Sequence, residues 1–146
     1  MNKQTRNIIN VSLTISAIYL YSFTANNIET EILGFNSFKF LISIAVLIQF
    51  LIFLPSFIFK TEKFYDLTGS LTYISVASIA YFSLDNPTTT DTILFLYVVI
   101  WAGRLGIFLF RRINKVGKDV RFDKAKKKFF WFLQYWMGQA AWVVFT

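Results

Sequence analysis

Five apolar stretches, each close to the ~20 residues a helix needs to cross a bilayer, constrain this chain more than any other feature. They run at about Ile8–Phe23, Phe38–Phe59, Leu67–Leu84, Ile93–Phe110 and Phe129–Phe145. Hydrocarbon cannot satisfy open backbone groups, so single spanning segments must be helical. The expected fold is therefore all-α: a polytopic transmembrane bundle of about five helices in a single domain. The first stretch lacks a small-residue cleavage motif and four more follow, so it reads as a retained helix rather than a signal peptide.

The joining segments alternate in charge. Lys3 and Arg6 precede the first stretch, and Glu29 and Glu31 follow it. Lys60 and Lys63 lie between the second and third, and Asp85 and Asp91 between the third and fourth. Residues 111–128 carry nine of the fifteen basic residues. The positive-inside rule then places the N-terminus in the cytoplasm. The net charge of +7 is explained by this topology, which argues against a nucleic-acid partner. Contact of residues 111–128 with anionic lipid is expected instead. The localisation that follows is a multi-pass membrane protein, with a bacterial cytoplasmic membrane as the default.

Composition narrows the chemistry. Mean hydropathy is +0.52, too high for an ordinary soluble domain. Eighteen Phe, seven Tyr and four Trp suit lipid-facing and interfacial positions. There is no cysteine, so no disulfide, thiol nucleophile or cysteine metal site is available. Histidine is absent too, which removes the commonest general base and metal ligand. No metal site is expected.

Two stretches concentrate the remaining polar groups. In residues 61–82, Asp66 opens the third helix, where it could serve as an N-cap. Asp66, Gly69, Ser70, Tyr73, Ala77 and Ala80 follow helical spacing. A polar and small stripe of this kind faces other helices or a wet cavity rather than lipid. In the fourth stretch Trp101, Arg104, Leu105 and Phe108 share a face, and Gly103 and Gly106 permit close approach of a neighbour. Arg104 lies ~10 Å of helix before Arg111. It could pair with Asp66, or snorkel to the headgroups. Beyond it, Arg111 to Phe122 interleaves bases with Gly117 and Asp119, and forked arginines can hold a phosphate. Lys124 to Lys128 reads as an anionic-lipid anchor. No Walker or Gly-x-Gly-x-x-Gly pattern occurs.

Phe64-Tyr65-Asp66, Arg104-Leu105-Gly106 and Asp119-Val120-Arg121-Phe122 together resemble motifs of bacterial multi-pass membrane proteins related to steroid 5-alpha-reductase. The resemblance covers about residues 60–146. It implies an NADPH-dependent oxidoreductase acting on a carbon–carbon double bond of a lipid-like or steroid-like enone. Tyr65, Asp66 and Tyr73 are then the candidate catalytic groups, with Glu62 nearby in a loop. Arg104, Arg111, Arg112, Asp119 and Arg121 are the candidate cofactor-binding set. Proteins of that type are longer, and their second half carries an arginine-, histidine-, asparagine- and tyrosine-rich motif. This sequence without histidine resembles their N-terminal portion. Two other functions compete. An isoprenylcysteine methyltransferase-like enzyme would bind S-adenosylmethionine in place of NADPH. A non-catalytic packing protein or truncated remnant would bind neither.

Overall fold

A computed structural model describes residues 2–24 and 31–146, and it is all-α apart from one minimal hairpin. Among these residues there are five helices: α1 (Lys3–Phe23), α2 (Ser37–Ile58), α3 (Tyr65–Phe82), α4 (Thr89–Val116) and α5 (Phe129–Phe145). Two short 3-10 turns, Val120–Phe122 and Ala125–Lys127, join α4 to α5. The hairpin pairs β1 (Glu31–Ile32) with β2 (Phe35–Asn36), which the apolar pattern did not signal. Its two-residue turn places Leu33 at φ 54° and Gly34 at φ 77°, the left-handed pair such a tight turn requires. Glu29, read as part of the acidic segment, lies outside the described residues.

Helix boundaries follow local chemistry. Thr88 caps α4 and exchanges bonds with Asp91, a capping box. The helix then runs well past its apolar part, through Arg111, Arg112 and Lys115, to Gly117 at φ 87°. Arginine and lysine are good helix formers, and basic groups suit the negative end of a helix dipole. Those three residues are therefore helical rather than part of a loop. Asp66 is not the N-cap of α3. The helix starts one residue earlier, after Phe64, so Asp66 sits within its first turn. Pro55 lies inside α2, which ends three residues later.

The helices run up and down, and contacts at each end show it. Asp66 at the start of α3 meets Arg112 near the end of α4. Phe53 and Phe57 of α2 meet Phe129 at the start of α5. At the opposite end, Tyr21 of α1 touches both Phe38 and Phe145, and Tyr81 stacks on Phe95. The basic segments thus gather at one end, with Asp85 and Asp91 at the other. Lys39 shares the acidic end, over the Phe23 ring.

The core sits toward the basic end. Phe53, Phe122, Phe132 and Trp136 are fully enclosed and make a cluster of tilted and edge-to-face rings. So the aromatic residues are divided: these four form the core, while Phe59, Phe108 and Trp142 remain exposed. Further along, Gln49 of α2 donates to Thr72 of α3 at 3.0 Å, with both side chains fully buried.

Helices α2 and α4 are long and apolar enough to cross a membrane. The other three stretches give less by that measure. Helices of 18 and 17 residues span only ~27 Å, just short of a ~30 Å hydrocarbon core. Helix α1 is interrupted by Asn10, Ser12, Thr14 and Ser16.

Candidate functional site

The polar and small stripe of α3 faces other helices. Ser70 lies directly beneath Gly106 of α4, and Gly69 is backed by the Gln139 side chain of α5. The Tyr73 hydroxyl reaches the Trp142 carbonyl at 3.2 Å and also meets Thr146. Its ring meets Trp101 edge-on. Tyr65 is fixed the same way. Its hydroxyl donates to the Tyr135 carbonyl at 3.0 Å, and its ring packs on Phe122 and Trp136.

Two of the three motif fragments, residues 64–66 and 119–122, meet in space, while Gly106 of the third packs on Ser70. Asp119 caps the 3-10 turn by accepting from the Arg121 backbone N–H at 2.9 Å. The Arg121 guanidinium folds back onto the same carboxylate, with Nε at 2.9 Å from Oδ2. That pairing holds the Asp119 carboxyl below its ordinary range and raises Arg121. The next residue, Phe122, drops into the core against Tyr65. Asp66 lies beside this turn and pairs with Arg112 at 3.6 Å.

The sequence offered Arg104 as the partner of Asp66, and the structure corrects this. Arg112 takes that place. Arg104 is exposed on the same outward face as Trp101, Leu105 and Phe108, and pairs with no described carboxylate. Gly103 likewise meets no neighbour; the packing face is Ala102, Gly106 and Ile113. We therefore expect Arg104→Gln to leave thermal stability within about 0.5 kcal/mol of the parent in detergent. Arg112→Gln should lose up to about 1 kcal/mol, the range of a partly exposed pair.

Glu62 is the residue that sequence reasoning undervalued. It is almost fully buried at the α2–α3 junction. Its Oε1 accepts from the Asp119 backbone N–H at 3.0 Å, and its Oε2 from Lys126 Nζ at 2.7 Å. Lys126, expected to be part of a lipid anchor, is thus a structural cation held by Glu62. One carboxylate ties the 117–128 connection to the bundle and so positions Arg121. The signal available was slight: a lone acid between Lys60 and Lys63.

Two adjoining cavities flank Arg121. The first, about 550 Å³, is lined by Tyr65, Asp66, Trp131, Tyr135, Gln139 and Arg121. The Tyr135 hydroxyl bonds no described residue, and the buried Gln139 Oε1 also lacks a described partner. The second, about 600 Å³, is lined by Asp66, Arg112, Lys118, Asp119 and Arg121 among others. Asp66 and Arg121 form the wall between them. Tyr73, Arg104 and Arg111 line neither.

A pH dependence follows from Asp119. Its folded-state pKa is depressed, so its contribution is full above the ordinary value of 3.8 and is lost as pH falls through the folded value. Protection of residues 117–128 against hydrogen exchange, taken relative to the intrinsic rate at each pH, should fall below about pH 4 in the parent chain. In Asp119→Asn it should already be low at neutral pH.

These features define an all-α protein with two helices fit to cross a membrane and a mixed acidic and basic site at one end. The sequence profile of DUF1295, described as a protein of unknown function, matches residues 52–146, and the chain belongs to that family. No curated protein and no solved structure matches it. The matched region runs from the middle of α2 through α5 and contains every residue of both cavities.

Proposed function

We propose that the chain is a multi-pass membrane protein, with its basic end in the cytoplasm, that takes part in NADPH-dependent reduction of a lipid-like enone. The observation that carries this reading is the pair of cavities sharing Asp66 and Arg121, one lined by three basic and two acidic side chains and the other mainly by aromatic and amide groups. A dinucleotide has the same two-part chemistry. Arg112 and Lys118 offer donors to phosphates, and Arg111 lies beside them on α4. Trp131 and Tyr135 offer flat surfaces, and Gln139 Oε1 an acceptor for a carboxamide N–H. The residues present therefore fit the group.

When bound, the cofactor supplies the hydride. The chain's own residues hold the phosphates and present a proton donor to the substrate. Tyr135 and Asp66 are the wall groups able to do so, since the Tyr65 hydroxyl is spent on a carbonyl. The membrane part is supported by α4, whose Ile93, Leu94, Tyr97, Ile100 and Phe108 face outward without cover. The collection of basic residues at one end supports the orientation. The substrate class and the bacterial cytoplasmic location rest on the resemblance to steroid 5-alpha-reductase relatives.

One observation favours a second reading, a non-catalytic packing protein. The hydroxyls of both Tyr65 and Tyr73 end on α5 carbonyls, as packing residues do. Titration of the purified chain in detergent separates the readings. We expect saturable NADPH binding, weakened about tenfold in Arg112→Gln. A folded chain that binds no NADPH supports the packing protein. Binding of S-adenosylmethionine instead points to methyl transfer.

A further inference from the structure

A third cavity, about 600 Å³, lies on the α2 side of α3 and shares no lining residue with the two around Arg121. Its wall is mainly Ile52, Phe59, Phe64, Leu67 and Leu71. Of these, all but Leu67 are exposed, so the groove opens outward rather than into the bundle. The Thr68 hydroxyl on its wall is turned onto the Phe64 carbonyl at 2.7 Å and presents little polarity. The groove suits an apolar chain.

Basic residues adjoin its lining in the chain. Helix α2 ends in a Schellman motif, with Thr61 N–H donating to the Ser56 carbonyl at 2.9 Å and Lys60 N–H to the Phe57 carbonyl at 3.2 Å. The left-handed position of that motif is occupied by Lys60, at φ 51°, where glycine is usual. Lys60 falls between Phe59 and Thr61, both of which line the groove. Lys60 and Lys63 are exposed and pair with no described carboxylate. The two acids of this segment are already engaged, Glu62 by Lys126 and Asp66 by Arg112. Two exposed lysines without a described acid therefore neighbour groove residues in the chain, Lys60 beside Phe59 and Thr61 and Lys63 beside Phe64.

We propose that this groove holds one acyl chain of an anionic phospholipid, with the lipid phosphate at Lys60 and Lys63. Charge complementarity decides the occupant. An anionic phosphate gains attraction from both hydrated ammonium groups, which a neutral apolar ligand lacks and a zwitterionic headgroup offsets with its own cation. The inference rests on the membrane reading above but is independent of any reductase activity.

Native mass spectrometry of the whole chain, released from nonionic detergent with equal phosphatidylglycerol and phosphatidylcholine, tests it. One phosphatidylglycerol should be retained per chain, in preference of about tenfold. The double variant Lys60→Gly, Lys63→Gln should lose that preference. Glycine relieves the left-handed backbone, so the loss cannot come from misfolding at that turn. Leu71→Trp, which narrows the groove, should reduce retention of both lipids. Equal retention of the two lipids by the parent overturns the proposal. So does a preference that survives the double variant but vanishes when Lys124, Lys127 and Lys128 become Gln. Glycerol 3-phosphate binding as tightly as the lipid would show a headgroup site without the groove, and also overturns it. A chain that stays monodisperse without detergent fails the membrane reading itself, and the lipid with it.

Discussion

Replacing Gly106 by alanine lowers the stability of the folded chain by about 2 kcal/mol, within the usual range for overpacking a tight contact. A Cβ there would stand 2.6 Å from Ser70 Cβ and 2.7 Å from its Oγ. Neither atom is the free end of a long side chain, so the two helix backbones must separate. That separation spreads along the interface of α3 and α4, because both helices are rigid. Gly103, one turn away, has no neighbour within 4 Å. Gly103→Ala should therefore be neutral or gain up to about 1 kcal/mol from helix propensity. The exchange Ser70→Gly with Gly106→Ala should recover much of the loss, which makes the pair a double-mutant cycle. Chemical unfolding in detergent micelles measures the parent, Ser70→Gly, Gly106→Ala, the double variant and Gly103→Ala. If Gly106→Ala and Gly103→Ala behave alike, α3 and α4 do not cross at Ser70.

The second large effect is at Glu62. Glu62→Leu leaves the Asp119 N–H without its acceptor and Lys126 with only the longer contact to Asp123, at 3.9 Å, in a nearly enclosed site. Breaking a buried ion pair from one side costs about 3 kcal/mol at the low end of measured cases. The loss should be local, since what detaches is the connection between α4 and α5. Trypsin cleavage within residues 118–128 should accelerate about 100-fold, the ratio that 3 kcal/mol corresponds to. Glu62→Gln retains an acceptor for Asp119 and should lose less. Unchanged proteolysis in Glu62→Leu would mean that the connection is held by its aromatic contacts alone, chiefly Phe122. The same variant reports on the site, because Arg121 stands between the two cavities only while Asp119 is held.

The comparison between Arg104 and Arg112 shows where sequence reasoning reached its limit. Both are arginines on α4, and charge alternation correctly brought the start of α3 and the end of α4 to the same end. The partner of Asp66 was then a question of depth. Eight residues separate the two arginines, which is ~12 Å of rise and about 80° of rotation. Hydropathy ended the fourth stretch at Phe110, which left Arg104 as the arginine inside the apolar run. The helix in fact continues to Val116, a boundary set by propensity and by the glycine that follows. Glu62 shows the same limit differently. Its partners lie 57 and 64 residues away. No local pattern encodes a contact across that separation.

What the sequence by itself determined was the all-α class, the place of each helix to within about six residues at its ends, the polar stripe of α3 and the segregation of charge. These depend on hydropathy and on a 3.6-residue period, which act over a few turns and are written along the chain. Only the tertiary structure decided which carboxylate meets which cation, that Tyr65 and Tyr73 end on α5 carbonyls, and that Tyr135 and Gln139 line a cavity with Arg121. Those outcomes depend on the rotation and depth of one helix against another. They are fixed by side-chain packing between distant segments, here Ser70 under Gly106 and Phe122 against Tyr65.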